Sequence, residues 1–383
     1  MKGLPNTLFE SSGKQPYYAD SETDWLNHRP DDQAQILHSV LLVGDAGAVA
    51  TDAPDPIISL MRREMAMLPA PKQTIVFLGD NIYPRGMPPE GHRLRAAAEQ
   101  IANTQISLLQ HFKGNIFFLS GNHDWNKGKP NGGEYLLRQE QYYQERLRRL
   151  NIFKPHLNEL GPEEIWLTDD ILLLVINTQW WVQKEGTRPV SSAYSSRAEN
   201  KNDFARLLKN ILIKNRDKKI LIVGHHPLYS NALHAGKFTP KQHVFPLTAI
   251  HKSLYFPLPI AGSLYPLYRK VFGAKEDMAH PRYRSLRETL LSVLKEERNN
   301  IVYVAGHEHN LQYFNRHNNH YVVSGSASKI AFVKKGGKAQ FTHAHKGIAA
   351  LRYYDNGQTW LEFLEPSAHD PNETVVIYRK LLS

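Results

Sequence analysis

Five short motifs carry carboxylates, a phenol, a carboxamide and imidazoles along this chain in fixed order: Gly44-Asp45, Gly79-Asp80-Asn81-Ile82-Tyr83, Gly121-Asn122-His123-Asp124, Gly224-His225 and Gly306-His307-Glu308-His309. These are hard and borderline donors, suited to iron, zinc and manganese and unsuited to a soft cuprous site. The chain contains no cysteine to compete with them. Each motif follows an apolar run, Val40-Leu41-Leu42-Val43, Ile75-Val76-Phe77-Leu78, Ile116-Phe117-Phe118-Leu119, Ile220-Leu221-Ile222-Val223 and Ile301-Val302-Tyr303-Val304. The glycine before each polar residue lets the chain turn sharply at the end of the run and brings backbone close to an ion or a phosphate. One Gly-Asp or Gly-His after a strand reads as an ordinary turn. Five in order, two of them as specific as Gly-Asn-His-Asp and Gly-His-Glu-His, do not.

Short, near-continuous apolar runs are the pattern of buried parallel strands, and in open α/β sheets ligands bind beyond the carboxyl ends of such strands. Five such ends can converge on one crevice. Helical signals fall between them. Asp55-Pro56 predicts a cap and first turn for a helix through about Met67. Leu94, Ala98, Ile101, Leu108 and Leu109 repeat at helical spacing, and a third helix is expected near 135–150. Residues 204–213, and then Leu286, Leu290, Val293 and Leu294, make two more amphipathic segments. After Tyr321 short strands are expected at 349–353, 360–364 and 375–378. The predicted fold is α/β, a four-layer αββα sandwich of two mixed sheets packed face to face with helices outside. The motifs are spread from Asp45 to His309 and must meet at one site, so one domain is expected over 37–383, after an irregular arm over 1–36.

The order and spelling of the motifs resemble the calcineurin-like metallophosphoesterase superfamily, which implies two metal ions about 3.5 Å apart acting on phosphoryl groups. The general superfamily pattern begins Asp-x-His, whereas this chain has Asp45-Ala46-Gly47 and places Tyr83 after the second aspartate. That exchange resembles the purple acid phosphatases, in which a tyrosine phenolate replaces the missing histidine and binds a ferric ion. The stretches Gly224-His225-His226-Pro227-Leu228-Tyr229-Ser230 with His234 beyond, Gly306 through Tyr313, and Val323-Ser324-Gly325-Ser326 are similar to the small, tartrate-resistant type. The chain is also similar to bacterial outer-membrane-associated metallophosphatases in its middle segment. The resemblance implies that Asp45, Asp80, Tyr83 and His309 hold a first, ferric ion, and that Asp80 bridges to a second, divalent iron, zinc or manganese held also by Asn122, His225 and His307. It further implies attack on phosphorus by a metal-activated hydroxide, with His123 and His234 as an outer pair that bind phosphate and protonate the departing alkoxide.

The chain has nineteen histidines. His226, His243, His251 and His280 lie outside the ligand positions and read as structural or surface imidazoles. Asp124 and Glu308, beside ligands, are expected to orient them or the neighbouring loops. The Trp180-Trp181 pair reads as core. An insertion over 235–281, apolar and aromatic but interrupted by prolines, cannot supply the ~20 apolar residues of a spanning helix. It reads as a lid or wall of the substrate pocket, as an apolar surface for a membrane or partner, or as a packed excursion completing the core.

The formal charge of +10 suits a small phosphorylated substrate. Basic residues are scattered, and the pairs Lys218-Lys219 and Lys334-Lys335 stand alone, so they read as a solvated face and not as a nucleic-acid stripe. Met1-Lys2-Gly3-Leu4-Pro5 leads into polar sequence without the roughly 7–15-residue apolar core of a secretory signal. The resemblance points instead to a periplasmic or other extracytoplasmic compartment. The expected activity is hydrolysis of phosphomonoesters. The alternatives are a phosphodiesterase or nucleotide hydrolase of the same superfamily, or a non-catalytic scaffold.

Overall fold

The computed structural model describes residues 15–184, 201–238, 273–297, 300–367 and 373–383, together with Arg269, Val271, His369 and Asp370. One mixed sheet is built from β2 (Ile36–Val43), β3 (Gln73–Phe77), β4 (Asn115–Phe118), β12 (Ile348–Tyr354), β13 (Thr359–Pro366) and β14 (Thr374–Leu381). Its spatial order is β14-β13-β12-β2-β3-β4. The other holds β1 (Tyr17–Tyr18), β5 (Glu163–Thr168), β6 (Ile171–Val175), β7 (Lys219–Val223), β8 (Val302–Ala305), β9 (Leu311–Arg316), β10 (Asn319–Ser324) and β11 (Phe341–His343). Its order is β1-β11-β9-β10-β8-β7-β6-β5. The motif-bearing strands β2, β3 and β4 are parallel to one another, as are β7 and β8, so their carboxyl ends point the same way within each sheet.

Period-two alternation explains why these strands are apolar throughout. In β2, Leu41 and Val43 face α1 (Pro56–Ala66), α2 (Arg95–Leu109) and α3 (Gly132–Leu147), while Val40 and Leu42 face the other sheet. In β7, Ile220 and Ile222 face α4 (Thr178–Val182), α5 (Lys201–Lys214) and α6 (Pro281–Glu296), while Leu221 and Val223 join the core between the sheets. The result is the four-layer αββα sandwich. Asp55 caps α1 through Oδ1, which accepts from the Ile57 and Ile58 amides at 2.8 and 3.4 Å, and Pro56 opens its first turn.

Two details differ from the sequence reading. The third helix stops at Leu147 and not near 150, because Arg148 takes a left-handed conformation with φ 54° and caps it. The described part of the N-terminal arm, irregular over most of its length, carries one two-residue strand and two three-residue 3-10 turns. Tyr17–Tyr18 adds an edge strand to β11, Trp25 is buried against Tyr18 and Tyr378, and Glu22 accepts from the Tyr378 hydroxyl at 2.7 Å. A two-residue strand is too short to show periodicity. Trp181 is fully buried against Phe204, whereas Trp180 is half-buried at the junction of two cores. No helix among the described residues is long and apolar enough to cross a membrane.

Candidate metal centre

Asp45, Asp80, Asn122, His225 and His307 follow β2, β3, β4, β7 and β8, and the facing sheets bring these ends to one place. Three of the five adopt left-handed backbone: Asp45 at φ 61°, Asp80 at φ 55° and His307 at φ 69°. Such conformations are costly for non-glycine residues and persist where the surroundings over-determine them. Here the surroundings are hydrogen bonds between the loops. The Asp45 amide donates to Gly79 O at 3.1 Å, Gly47 N to Asp80 O at 2.9 Å, and His307 N to Asp45 Oδ2 at 2.7 Å.

All seven side chains expected as ligands meet around Asp80. On one side, the Tyr83 hydroxyl lies 2.9 Å from Asp45 Oδ1, 3.0 Å from Asp80 Oδ2 and 3.0 Å from His309 Nε2. On the other, His225 Nε2 lies 3.5 Å from Asp80 Oδ1, 3.1 Å from Asn122 Oδ1 and 3.2 Å from His307 Nδ1. The two Asp80 oxygens therefore face two separate donor groups. Asp45 and Asp80 are fully buried carboxylates. Among the described residues no lysine or arginine forms a salt bridge with either; the basic side chains within 4 Å of them are imidazoles.

Electrostatics and tautomers favour cations there. Burial would raise the Asp80 carboxyl, but His123, His225 and His309 outweigh it and bring it down to about 2. Burial, Asp45 and Asp80 together push the Tyr83 phenol well above its ordinary value, so its ionisation calls for an adjacent cation. His225 Nδ1 lies 2.8 Å from Leu78 O and His307 Nε2 lies 3.1 Å from Glu276 O. Donation to these carbonyls fixes each tautomer and turns the opposite lone pair into the cluster, the arrangement found around metal-ligating histidines. Burial and the crowding of His234, His226 and His225 hold His307 well below the usual imidazole range, in the neutral form. Two buried carboxylates, a phenol, an amide oxygen and three imidazoles fit a pair of hard or borderline ions.

Neighbouring groups hold the frame. Asp124 accepts from the Asp80 amide at 2.8 Å, the Gly121 amide at 2.8 Å and the Asn81 amide at 3.0 Å, lacing the second and third motif loops together. Glu308 accepts from Ser230 at 2.8 Å and so ties the fifth motif to the loop after the fourth. His123 Nδ1 lies 2.7 Å from Pro84 O, and its Nε2 stands 3.8 Å from Asp80 Oδ2. The His234 ring packs tilted at 31° against that of His307 with centroids 4.4 Å apart, and its Nδ1 lies 3.0 Å from Asp277 Oδ1. Asp277 and Glu276 belong to the end of the 235–281 insertion, which thus reaches the cluster; residues 239–268, with His243 and His251, lie outside the described residues.

Sequence reasoning missed three contributors. Lys329 places Nζ 3.0 Å above the centre of the Tyr83 ring, and nothing in its local sequence marks it. Thr178 accepts from the amides of His225 and His226 at 3.1 Å each. His226, read as structural, is buried and bonded to Thr178 at 2.9 Å, yet its Nε2 faces Glu276 at 3.7 Å beside the cluster. His280 caps α6 by accepting from the Arg282 amide.

The described structure is similar to several solved ones. GAP50, the anchor in the inner membrane complex of Plasmodium, aligns with TM-score 0.51 and 16% identity over 90% of each chain. Purple acid phosphatase PPD1 from yellow lupin (Lupinus luteus) seeds aligns with TM-score 0.51 and 12% identity over 91% of this chain and 54% of that one. A dimetal phosphatase from Danio rerio follows, with TM-score 0.47 and 13% identity over 90% of this chain and 99% of that one. At such identities the likeness is one of fold. No curated protein matches the sequence at a significant level. The calcineurin-like phosphoesterase family profile matches residues 38–347, the span that carries every motif from Asp45 to His309, and the chain belongs to that family.

Proposed function

We propose that this protein is a binuclear metal-dependent phosphatase of the purple acid phosphatase kind that hydrolyses small phosphomonoesters. The observation that carries the reading is the division of donors by the Asp80 carboxylate, with Tyr83 among Asp45, Asp80 and His309 on one side and Asn122, His225 and His307 on the other. In this reading Asp45, Tyr83 and His309 with Asp80 would hold a ferric ion, and Asn122, His225 and His307 with Asp80 would hold a divalent iron, zinc or manganese. The chemistry such ions supply is Lewis acidity, which acidifies water and draws charge from a phosphoryl oxygen. His123, with Nδ1 tied to Pro84 O, keeps Nε2 at the mouth of the cluster to bind a phosphate oxygen. His234, held by Asp277 against the His307 ring, gives a proton to the leaving alkoxide. Lys329 adds positive charge on the Tyr83 side.

Metal analysis, visible absorption and steady-state rates on an aryl phosphate, a bis-aryl phosphate and a nucleotide panel test this together. The expected outcome is two ions per chain, a pink to violet tyrosinate-to-ferric band, and fastest turnover of the monoester. Asp80→Ala, which removes the shared ligand, should lose metal and abolish turnover. A colourless but active enzyme would remove the ferric assignment alone. Preference for the diester would reassign the substrate, and two bound ions with no hydrolysis of any ester would favour a scaffold.

A further inference from the structure

Outside the five motifs, His343, His345 and Glu365 form a second group of ligating side chains. His343 ends β11 in the eight-stranded sheet, His345 follows in the connection to β12, and Glu365 lies near the end of β13 in the six-stranded sheet. His343 Nε2 is 3.1 Å from Glu365 Oε1, and His345 Nδ1 is 2.9 Å from Glu365 Oε2. The imidazoles stack with centroids 5.5 Å apart and 26° between planes. One ligand atom from each residue lies within 4.8 Å of the other two. The His343 side chain is 2% exposed and that of Glu365 8%, whereas His345, at 28%, opens the group to solvent.

The two imidazole–carboxylate pairings leave part of the group's hydrogen-bonding capacity unmet. Despite the short separations, Glu365 Oε1, His345 Nδ1 and His343 Nδ1 are all buried without an aligned hydrogen-bond partner among the described residues. Buried polar atoms are normally satisfied, so Glu365 Oε1 and His345 Nδ1, both among the atoms that would ligate, call for another partner. Donors bound at about 2.0–2.2 Å from a zinc-type ion stand roughly 3–3.5 Å from one another, close to the 3.1 and 2.9 Å of the two imidazole–carboxylate pairs. Two imidazoles and one carboxylate are a borderline set for such an ion, with a fourth position left for water.

We propose that His343, His345 and Glu365 form a further divalent-metal site, of zinc type and distinct from the Asp45 to His309 cluster, which clips the two sheets together. Because its ligands come from both sheets, the ion binds the folded chain and not the unfolded one, and so stabilises the sandwich by mass action.

The test uses the full chain, stripped with chelator and dialysed against zinc alone. Glu365→Gln should lower zinc content by one ion per chain, both in the otherwise native protein and in the Asp80→Ala background, where the motif cluster is disabled. It should also remove several degrees from the zinc-dependent rise in Tm. Equal zinc content with and without Glu365→Gln in both backgrounds would overturn the proposal and leave a carboxylate clamped by two imidazoles. Should Glu365→Gln fail to fold, His345→Ala at the partly exposed ligand gives the same reading: loss of one ion supports the site, and an unchanged count overturns it.

Discussion

A phenol held between two buried carboxylates is a poor acid, and Tyr83 is such a phenol. Its neighbours divide into groups that touch the Asp80 carboxylate and groups that stand one layer out. His234 belongs to the outer layer, touching His307 by a tilted ring contact and Asp277 by Nδ1. His234→Ala is therefore expected to lower kcat by roughly a hundredfold or more, in the range of a lost general acid, while metal content stays at the native value. Metal analysis beside steady-state kinetics checks it. A variant that loses metal in step with rate would make His234 a support of His307 and not a proton donor.

At the scale of elements, the strand ends carry strain that only their mutual packing sustains. Gly121 shows how little room is left: a Cβ there would stand 2.3 Å from Asp80 Oδ1 and 2.6 Å from Asp80 N, and a backbone atom cannot step aside as a flexible side chain can. Gly121→Ala is expected to destabilise the fold by about 1–3 kcal/mol and to displace the Asp80 carboxylate, reducing metal content as well as Tm. Normal metal content with native Tm would show that the third motif loop tolerates movement. The strands and helices themselves were legible, because an apolar run with both faces buried and an apolar stripe at helical spacing are direct imprints of burial. The end of α3 was not, since Arg148 has no sequence mark of the left-handed conformation it adopts.

Across the whole molecule, buried imidazoles link stability to pH. His38 lies in β2 with Nε2 2.9 Å from Thr74 Oγ1, and His320 in β10 with Nδ1 2.8 Å from the Tyr313 hydroxyl. Burial lowers each to about 4. Between the ordinary value near 6.5 and about 4 the unfolded chain binds the proton and the folded chain does not, so stability rises with pH across that window. It is full above pH 6.5 and is lost as the pH falls towards 4. His38→Gln should remove on the order of 2 kcal/mol of the difference in unfolding free energy between pH 7 and 4.5. Urea unfolding at the two pH values measures it, and an unchanged difference would place the acid sensitivity in other groups.

Which residue types stand at the strand ends, and that the strands are buried on both faces, were readable in the chain because side-chain chemistry and hydropathy period are local properties. It also carried the family, through the spelling of the motifs in order. What those residues meet follows from the packing of segments far apart in the chain. Lys329 over Tyr83, Glu276 and Asp277 beside His307 and His234, and Glu365 against His343 and His345 are contacts between distant segments, formed when two sheets pack face to face. No spacing in a linear chain encodes such a meeting directly, since it depends on how every intervening element packs.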